Sequence, residues 1–293
     1  MDGVIVVNKE ENWTSHDVVS KMRRIANTRK IGHLGTLDPI ATGVLPLVVG
    51  RATRLARFYT HSDKIYEALI RFGFSTDSYD RAGAPISPPS EPNIDPAELE
   101  NALTGFRGEI LQAPPPVSAK KVDGVRAYAL ARRQQPVQLE PVPVQIYDLT
   151  LLEIHGSEAR IRAHCSGGTY MRSIAHDLGQ LLGCGAHLAD LKRVASGEFR
   201  LDQARTIAQL QQLSDEGRLA EALIPAARML PGVPTVYVES LTAGQIRQGR
   251  NFPVSPFRAG PDSRYVKAVS GEGDLIAIGE AKLPNLYHPI VVL

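Results

Sequence analysis

The chain has 293 residues, enough for one large domain, a small second one and a sizeable core. Its 33 Lys and Arg against 31 Asp and Glu leave a net charge of +2, which permits a polyanionic partner without demanding one, because the field depends on how the charges cluster. Two cysteines give no disulfide framework, no charged-then-apolar leader precedes the first strand-like run, and Val44 to Val49, a typical apolar stretch, is too short to span a bilayer; a soluble, cytoplasmic protein is expected.

Gly3 to Val7 reads as a buried strand. Thr14, with Asp17 three positions on, begins a helix whose Val18, Val19, Met22, Ile25 and Ala26 share one face. Val44 to Val49 reads as a second strand ended by Gly50, and Arg51 to His61 as a helix with a basic side. From Tyr66 to Phe74 the alternation of Tyr66, Ala68, Ile70, Phe72 and Phe74 with Glu67, Leu69, Arg71 and Gly73 predicts a half-buried strand. Asp80 to Pro96 reads as a loop before a short helix, Pro96 to Leu103. Pro114 to Pro116 and Pro136 to Pro143 bracket a basic helical piece around Tyr128 to Arg133. Val144 to Ile154 and Ala159 to Cys165 form a hairpin turning near Gly156, Thr169 to Leu182 a helix, and Leu188 to Phe199 a strand. Helices near Arg205 to Gln212 and Glu216 to Leu223 lead to Pro231-Gly232-Val233-Pro234, a linker by composition. Leu241 to Gln248 reads as helix, and Tyr265 to Val269, Leu275 to Ile278 and Ile290 to Leu293 as strands. The class is α+β with a small β-rich tail.

The segment from Gly32 to Pro46 sets one carboxylate, Asp38, among glycines, small residues and aliphatics. Pro39 biases Asp38 away from helical angles and so presents it, while Leu37 and Ile40 flank it with apolar surface. A partly desolvated carboxylate needs a cation to stay charged near neutral pH. The plainer reading is that Asp-Pro only starts a turn. Two companion motifs favour a nucleophile or general base: Thr14-Ser15-His16-Asp17-Val18-Val19 and Cys165-Ser166-Gly167-Gly168-Thr169-Tyr170-Met171-Arg172-Ser173.

Together with Lys64-Ile65-Tyr66 and Pro115-Pro116-Val117-Ser118-Ala119, this ordered set resembles the TruB-type bacterial tRNA pseudouridine synthases, which modify uridine 55 of the T-loop. The resemblance runs from about Val4 to the carboxyl terminus. It implies a catalytic domain over 1–230 with a mixed, largely antiparallel sheet and flanking helices, and a small PUA-like RNA-binding domain over 231–293. It implies Asp38 as nucleophile, acting on sugar or base, with Arg172 as its cationic partner and Tyr66 as the active-site tyrosine. A carboxylate suits such chemistry because it can hold a covalent adduct while the base turns. The resemblance also assigns Tyr170 and Leu191 to the flipped nucleotide and His33 to the space that nucleotide leaves. Phosphate contacts fall to Lys64, Lys120, Lys121 and Arg132. Arg247, Arg250, Arg258 and Lys267 are candidates for phosphates beyond the target loop. Without the resemblance, Tyr66, Tyr170 and Leu191 would read as core residues and Arg172 as an exposed helical charge. The chain departs from the family pattern at Lys9-Glu10-Glu11-Asn12 and at Gly167, both of which bear on RNA contacts.

The expected partner is the T-stem-loop of tRNA, bound by a monomer, with no cofactor, no nucleotide and no membrane. A metal site built from His164, Cys165, Cys184 and His187 is disfavoured, since neighbours on a strand face opposite ways and paired Cys-x-x-Cys spacing is absent. The rival from another class is an RNA-binding or tRNA-folding protein on the same scaffold without required catalysis. The joint presence of Asp38, Tyr66 and Arg172 argues against it.

Overall fold

A computed structural model describes residues 1–117, 121–122, 125–126, 139–260 and 263–293. Lys120 and Arg132 lie outside the described residues, and of Lys121 only the backbone is described.

Among the described residues the main sheet has ten strands. Its first is β1 (Gly3–Lys9), followed by β2 (Ile31–His33), β3 (Ala41–Val49), β4 (Lys64–Phe72) and β5 (Gly108–Gln112). Among the described residues two short strands, β6 (Lys121–Val122) and β7 (Val125–Arg126), pair only with each other. The sheet resumes with β8 (Val142–His155), β9 (Glu158–Cys165), β10 (Ala186–Ser196), β11 (Phe199–Arg200) and β12 (Leu223–Pro225). The spatial order is β12-β1-β3-β10-β4-β9-β8-β5, with β2 beside β3 and β11 beside β10. Every pairing is antiparallel except β3 with β10, so the sheet is mixed and largely antiparallel, as expected. In β4 buried Lys64, Tyr66, Ala68, Ile70 and Phe72 alternate with half-buried neighbours, the period of two that the sequence displays.

The helix Ser15–Ile25 starts at Thr14, whose hydroxyl accepts from the Asp17 amide while the Asp17 carboxylate accepts from the Thr14 amide. It buries Val18, Val19, Met22 and Ile25. The expected helix after Gly50 is a 3₁₀ helix, Gly50–Tyr59, and the one near Glu216 shrinks to a 3₁₀ turn, Leu219–Ala222. The helix near Thr169 spans Met171–Leu181, with Tyr170 as its cap.

The tail is a five-stranded sheet of β13 (Thr235–Val238), β14 (Phe252–Pro253), β15 (Tyr265–Ser270), β16 (Leu275–Leu283) and β17 (Leu286–Val292), ordered β13-β15-β16-β17-β14. Its far side has a separate core of Val236, Ile246, Phe252 and Ile276. Its near side merges with the large unit, since Val269, Leu275, Ile278, Val291 and Leu293 share one cluster with Val4, Val44, Leu55, Phe199 and Met229. This merging corrects the expectation for Lys267: it is 4% exposed, and its ammonium donates to the carbonyls of Ala227 (3.1 Å) and Met229 (2.9 Å). Burial pushes its pKa down. Its work is to close the junction, whereas Arg247, Arg250 and Arg258 face solvent.

Among the described residues no helix is long and apolar enough to cross a membrane.

Candidate active site

Three neighbouring strands in the middle of the sheet, β3, β10 and β4, bring the site together. Asp38 lies just before β3. Its carbonyl accepts from the Ala41 amide at 3.0 Å, so Asp38-Pro39 does begin a turn, and that turn is what presents the carboxylate. Anchors from distant segments hold the turn. Ser15 Oγ accepts from the Leu37 amide at 2.8 Å and donates to the Leu37 carbonyl at 3.2 Å. The Pro39 carbonyl accepts from the Asn12 amide (2.8 Å) and from Lys9 Nζ (3.3 Å). The departure from the family pattern at Lys9 to Asn12 thus lies in contact with the Asp38 turn. Burial lowers the Lys9 pKa to about 8, against the opposing pull of Asp38.

Arg172 meets Asp38 from the first turn of the helix Met171–Leu181. Its Nε sits 2.9 Å from Oδ2 as an ion-pair contact, and its NH2 donates to Oδ1 at 3.2 Å. NH1 donates to the carbonyls of Val117 (2.9 Å) and Ser78 (3.2 Å) and lies 3.7 Å from the Asp80 carboxylate. The guanidinium is therefore not the exposed helical charge that it resembles in isolation; it is 4% exposed. A planar fork suits this two-point grip on a carboxylate.

A cavity of about 250 Å³ opens over the pair, at the small end of ligand sites, which start at roughly 300 Å³. Asp38, Lys64, Tyr66, Tyr170, Arg172 and Leu191 all line it. Tyr66 and Leu191 are both buried and come from adjacent strands, with their positions set by the β4–β10 pairing. Burial pushes the Tyr66 phenol above its ordinary pKa, and the charge of Arg193 opposes that rise. Tyr170 is held by Gln112, whose side chain accepts from the Tyr170 amide (2.8 Å) and donates to its carbonyl (3.0 Å). Lys64 reaches the cavity from the buried face of β4. Its ammonium contacts the Ser62 carbonyl, and burial and then Arg193 depress its pKa. His33 is not among the residues lining the cavity; it sits on β2 with Nδ1 buried and, among the described residues, without a hydrogen-bond partner, and burial keeps it below its ordinary pKa.

Sequence reasoning missed Arg193, Asp80 and Gln112. Arg193 left one usable signal: it stands two positions beyond Leu191, hence on the same face of a strand. Asp80 and Gln112 left none, being a loop residue and a polar residue in a short strand. Among the described residues no three of His, Cys, Asp or Glu gather in a way that could hold a metal.

A family model for the N-terminal domain of TruB family pseudouridylate synthases matches residues 23–171, and one for the C-terminal domain of tRNA pseudouridylate synthase B matches 172–231. Over its full length the chain is 67% identical to the tRNA pseudouridine synthase B of Solibacter usitatus, with 100% of both chains covered. The chain belongs to the TruB family of pseudouridylate synthases. The TruB enzyme of Mycobacteroides abscessus, tRNA pseudouridine synthase B, is 42% identical, with 94% of this chain and 91% of that one covered. Among solved structures, a Cbf5-Nop10-Gar1 complex superposes with a TM-score of 0.73 at 26% identity, covering 97% of this chain and 79% of that one. An H/ACA RNP bound to a substrate RNA containing 2′-deoxyuridine gives 0.74 at 25%, covering 99% and 84%. The TruB assignment and these superpositions agree with the α+β fold and the small β-rich C-terminal unit expected from sequence.

Proposed function

We propose that this chain isomerises uridine 55 in the T-loop of tRNA to pseudouridine, with Asp38 as the nucleophile. The observation that carries this reading is a carboxylate gripped by a buried guanidinium at the mouth of a cavity walled by Tyr66 and Leu191. The reaction breaks the N1–C1′ bond, turns the base and joins C5 to C1′. C5 loses a proton and N1 gains one, so no oxidant or donor is consumed. Asp38 attacks either the sugar carbon or the base and keeps the fragments together while the base turns. Arg172 holds and aims the carboxylate. Tyr66 stacks on the base and its hydroxyl serves the C5 proton. Leu191 walls the base, Tyr170 contacts the flipped nucleotide, and His33 fills the space it leaves in the RNA. Lys64, with Lys120, Lys121 and Arg132, meets phosphates.

On this reading residues 1–230 are the catalytic unit and 231–293 a PUA-like RNA-binding unit. The protein works as a monomer on the T-stem-loop, and a tRNA substrate together with the free cysteines Cys165 and Cys184 suits the cytoplasm.

The test is to incubate the purified chain with unmodified tRNA, without metal or nucleotide, and to map pseudouridine. Modification at position 55 is expected, and Asp38→Asn should abolish it while tRNA binding stays within a few-fold. Binding or refolding of tRNA by the parent with no pseudouridine anywhere would overturn the enzyme reading. Substantial turnover by a clean Asp38→Asn preparation would remove Asp38 from its role.

A further inference from the structure

Arg193 is among the largest fully buried side chains of the protein, 1% exposed. Among the described residues no carboxylate pairs with it. Instead Nε donates to the Val44 carbonyl (2.8 Å), NH1 to Thr36 (3.2 Å) and NH2 to Gly35 (3.1 Å). A buried cation without a counter-ion is costly, and breaking up its hydrogen bonds costs more. The backbone that carries it is closely packed as well. Gly43 is the partner of Arg193 across the parallel β3–β10 pairing, with φ +96°, and a Cβ there would lie 2.3 Å from the Arg193 carbonyl oxygen. Across the antiparallel β4–β10 pairing Arg193 stands directly opposite Tyr66. Directly opposed residues project to the same face with Cβ atoms about 4.5–5.5 Å apart. Both side chains line the cavity.

The guanidinium thus joins two parts of the site. One is the backbone at Gly35 and Thr36, three and two positions ahead of Asp38; the other is the phenol of Tyr66. Its charge reaches other groups of the site: after burial, which comes first in each case, it adds to the depression of the Lys9, His33 and Lys64 pKa values, opposed at Lys9 by Asp38 and Glu11.

We propose that Arg193 is a positioning residue for the isomerisation: it fixes the Asp38 turn against the strand that carries Tyr66, and its permanent charge stabilises the Tyr66 phenolate, the form able to take up the C5 proton. In that step the C5–H bond breaks, its electron pair restores the C5–C6 double bond, and the proton passes to Tyr66 Oη. The proton that Oη gave up beforehand is balanced by the one gained at N1. The proposal rests on the pseudouridine synthase reading and adds a residue to it.

The experiment uses the full chain with tRNA transcripts made with ordinary uridine or with uridine deuterated at C5, under single-turnover conditions at saturating enzyme. The parent must first form pseudouridine; if it does not, the functional reading fails and not this inference. Arg193→Met, of similar length and without charge, should slow the reaction by about 100-fold, a size typical of acid–base assistance. Its deuterium isotope effect should exceed the parent's, because C5–H cleavage becomes limiting. Arg193→Lys, which keeps the charge with a shorter reach, should be slowed about 10-fold with an intermediate isotope effect. Both should bind tRNA within threefold of the parent. A slowed Arg193→Met with the parental isotope effect, or one with the parental rate, overturns the proposal. Should Arg193→Met fail to fold, Arg193→Lys decides: a raised isotope effect supports the role, and a parental one overturns it.

Discussion

Arg172→Lys probes the grip on Asp38 without removing charge. The arginine touches both carboxylate oxygens, at 2.9 and 3.2 Å, and also spans to the carbonyls of Val117 and Ser78. An ammonium has three donors and no fork, so it can keep one contact to Asp38 and one to the carbonyls, and must drop the others. A hydrogen bond to a charged group contributes about 1.5–3 kcal/mol. If the lost contact aims the carboxylate at the reacting atom, that energy falls on the barrier, and at about 1.4 kcal/mol per tenfold the rate should drop by roughly 10- to 160-fold. Asp38 touches RNA through the reacting atom alone on this reading, so tRNA affinity should stay within a few-fold. The assay is single-turnover release of tritium from C5-labelled uridine in tRNA, with a thermal melt to confirm folding. A folded Arg172→Lys protein with a rate within threefold of the parent would refute the reasoning, as would a loss confined to binding.

Tyr66→Phe should keep tRNA binding and lose most of the single-turnover rate, whereas Tyr66→Leu should also impair placement of the flipped base; normal turnover by both would return Tyr66 to the core. Exposed Arg247, Arg250 and Arg258, changed singly to Ala, should each flatten the plot of log affinity against log salt by roughly 0.7–0.9 if they meet a phosphate. Lys267→Ala should leave that slope alone and lower the melting temperature, because it strips the carbonyls of Ala227 and Met229 of their donor; a changed slope with an unchanged melt would contradict the buried placement. Lys9 carries a pH signature: its folded pKa of about 8 lies below the ordinary 10.5, so between these values the unfolded chain holds a proton that the folded one has released. Stability contributed by this group should rise with pH across that window. Urea melts of the parent minus those of Lys9→Met should show the rise, and a flat difference would exclude it.

Local pattern carried much of this fold into view. Thr14 and Asp17 announce a helix start, the alternation from Tyr66 announces β4, and Gly156 marks a hairpin whose strands form where expected, because each signal is decided by neighbours in sequence. Arg51 to His61 shows the limit: its apolar spacing suits an α-helix and a 3₁₀ helix alike, and packing of Ala52, Leu55 and Tyr59 decides between them. Lys267 shows another. A lysine in a strand reads as solvent-facing, and only the merging of the two sheets buries it. At the site, Asp38 is legible through Pro39 and the glycines around it, and Arg172 only through its motif. Gln112 and Asp80 act at atoms brought close by the sheet order, which no local pattern encodes.

The parallel pairing of β3 with β10 has a consequence in time. Across it Thr42 Oγ1 donates to the Leu191 carbonyl, 149 residues away, and Asp38, Tyr66 and Arg193 sit on or beside the three strands that this pairing and the β4–β10 pairing unite. Contacts so distant in sequence form late, because loop closure must precede them. A nascent chain emerging from the ribosome therefore has Asp38 and Tyr66 long before it has a place to hold them together. Arg172 and then β10 must follow before the carboxylate is aimed, so reactivity towards RNA switches on only when most of the protein has been made.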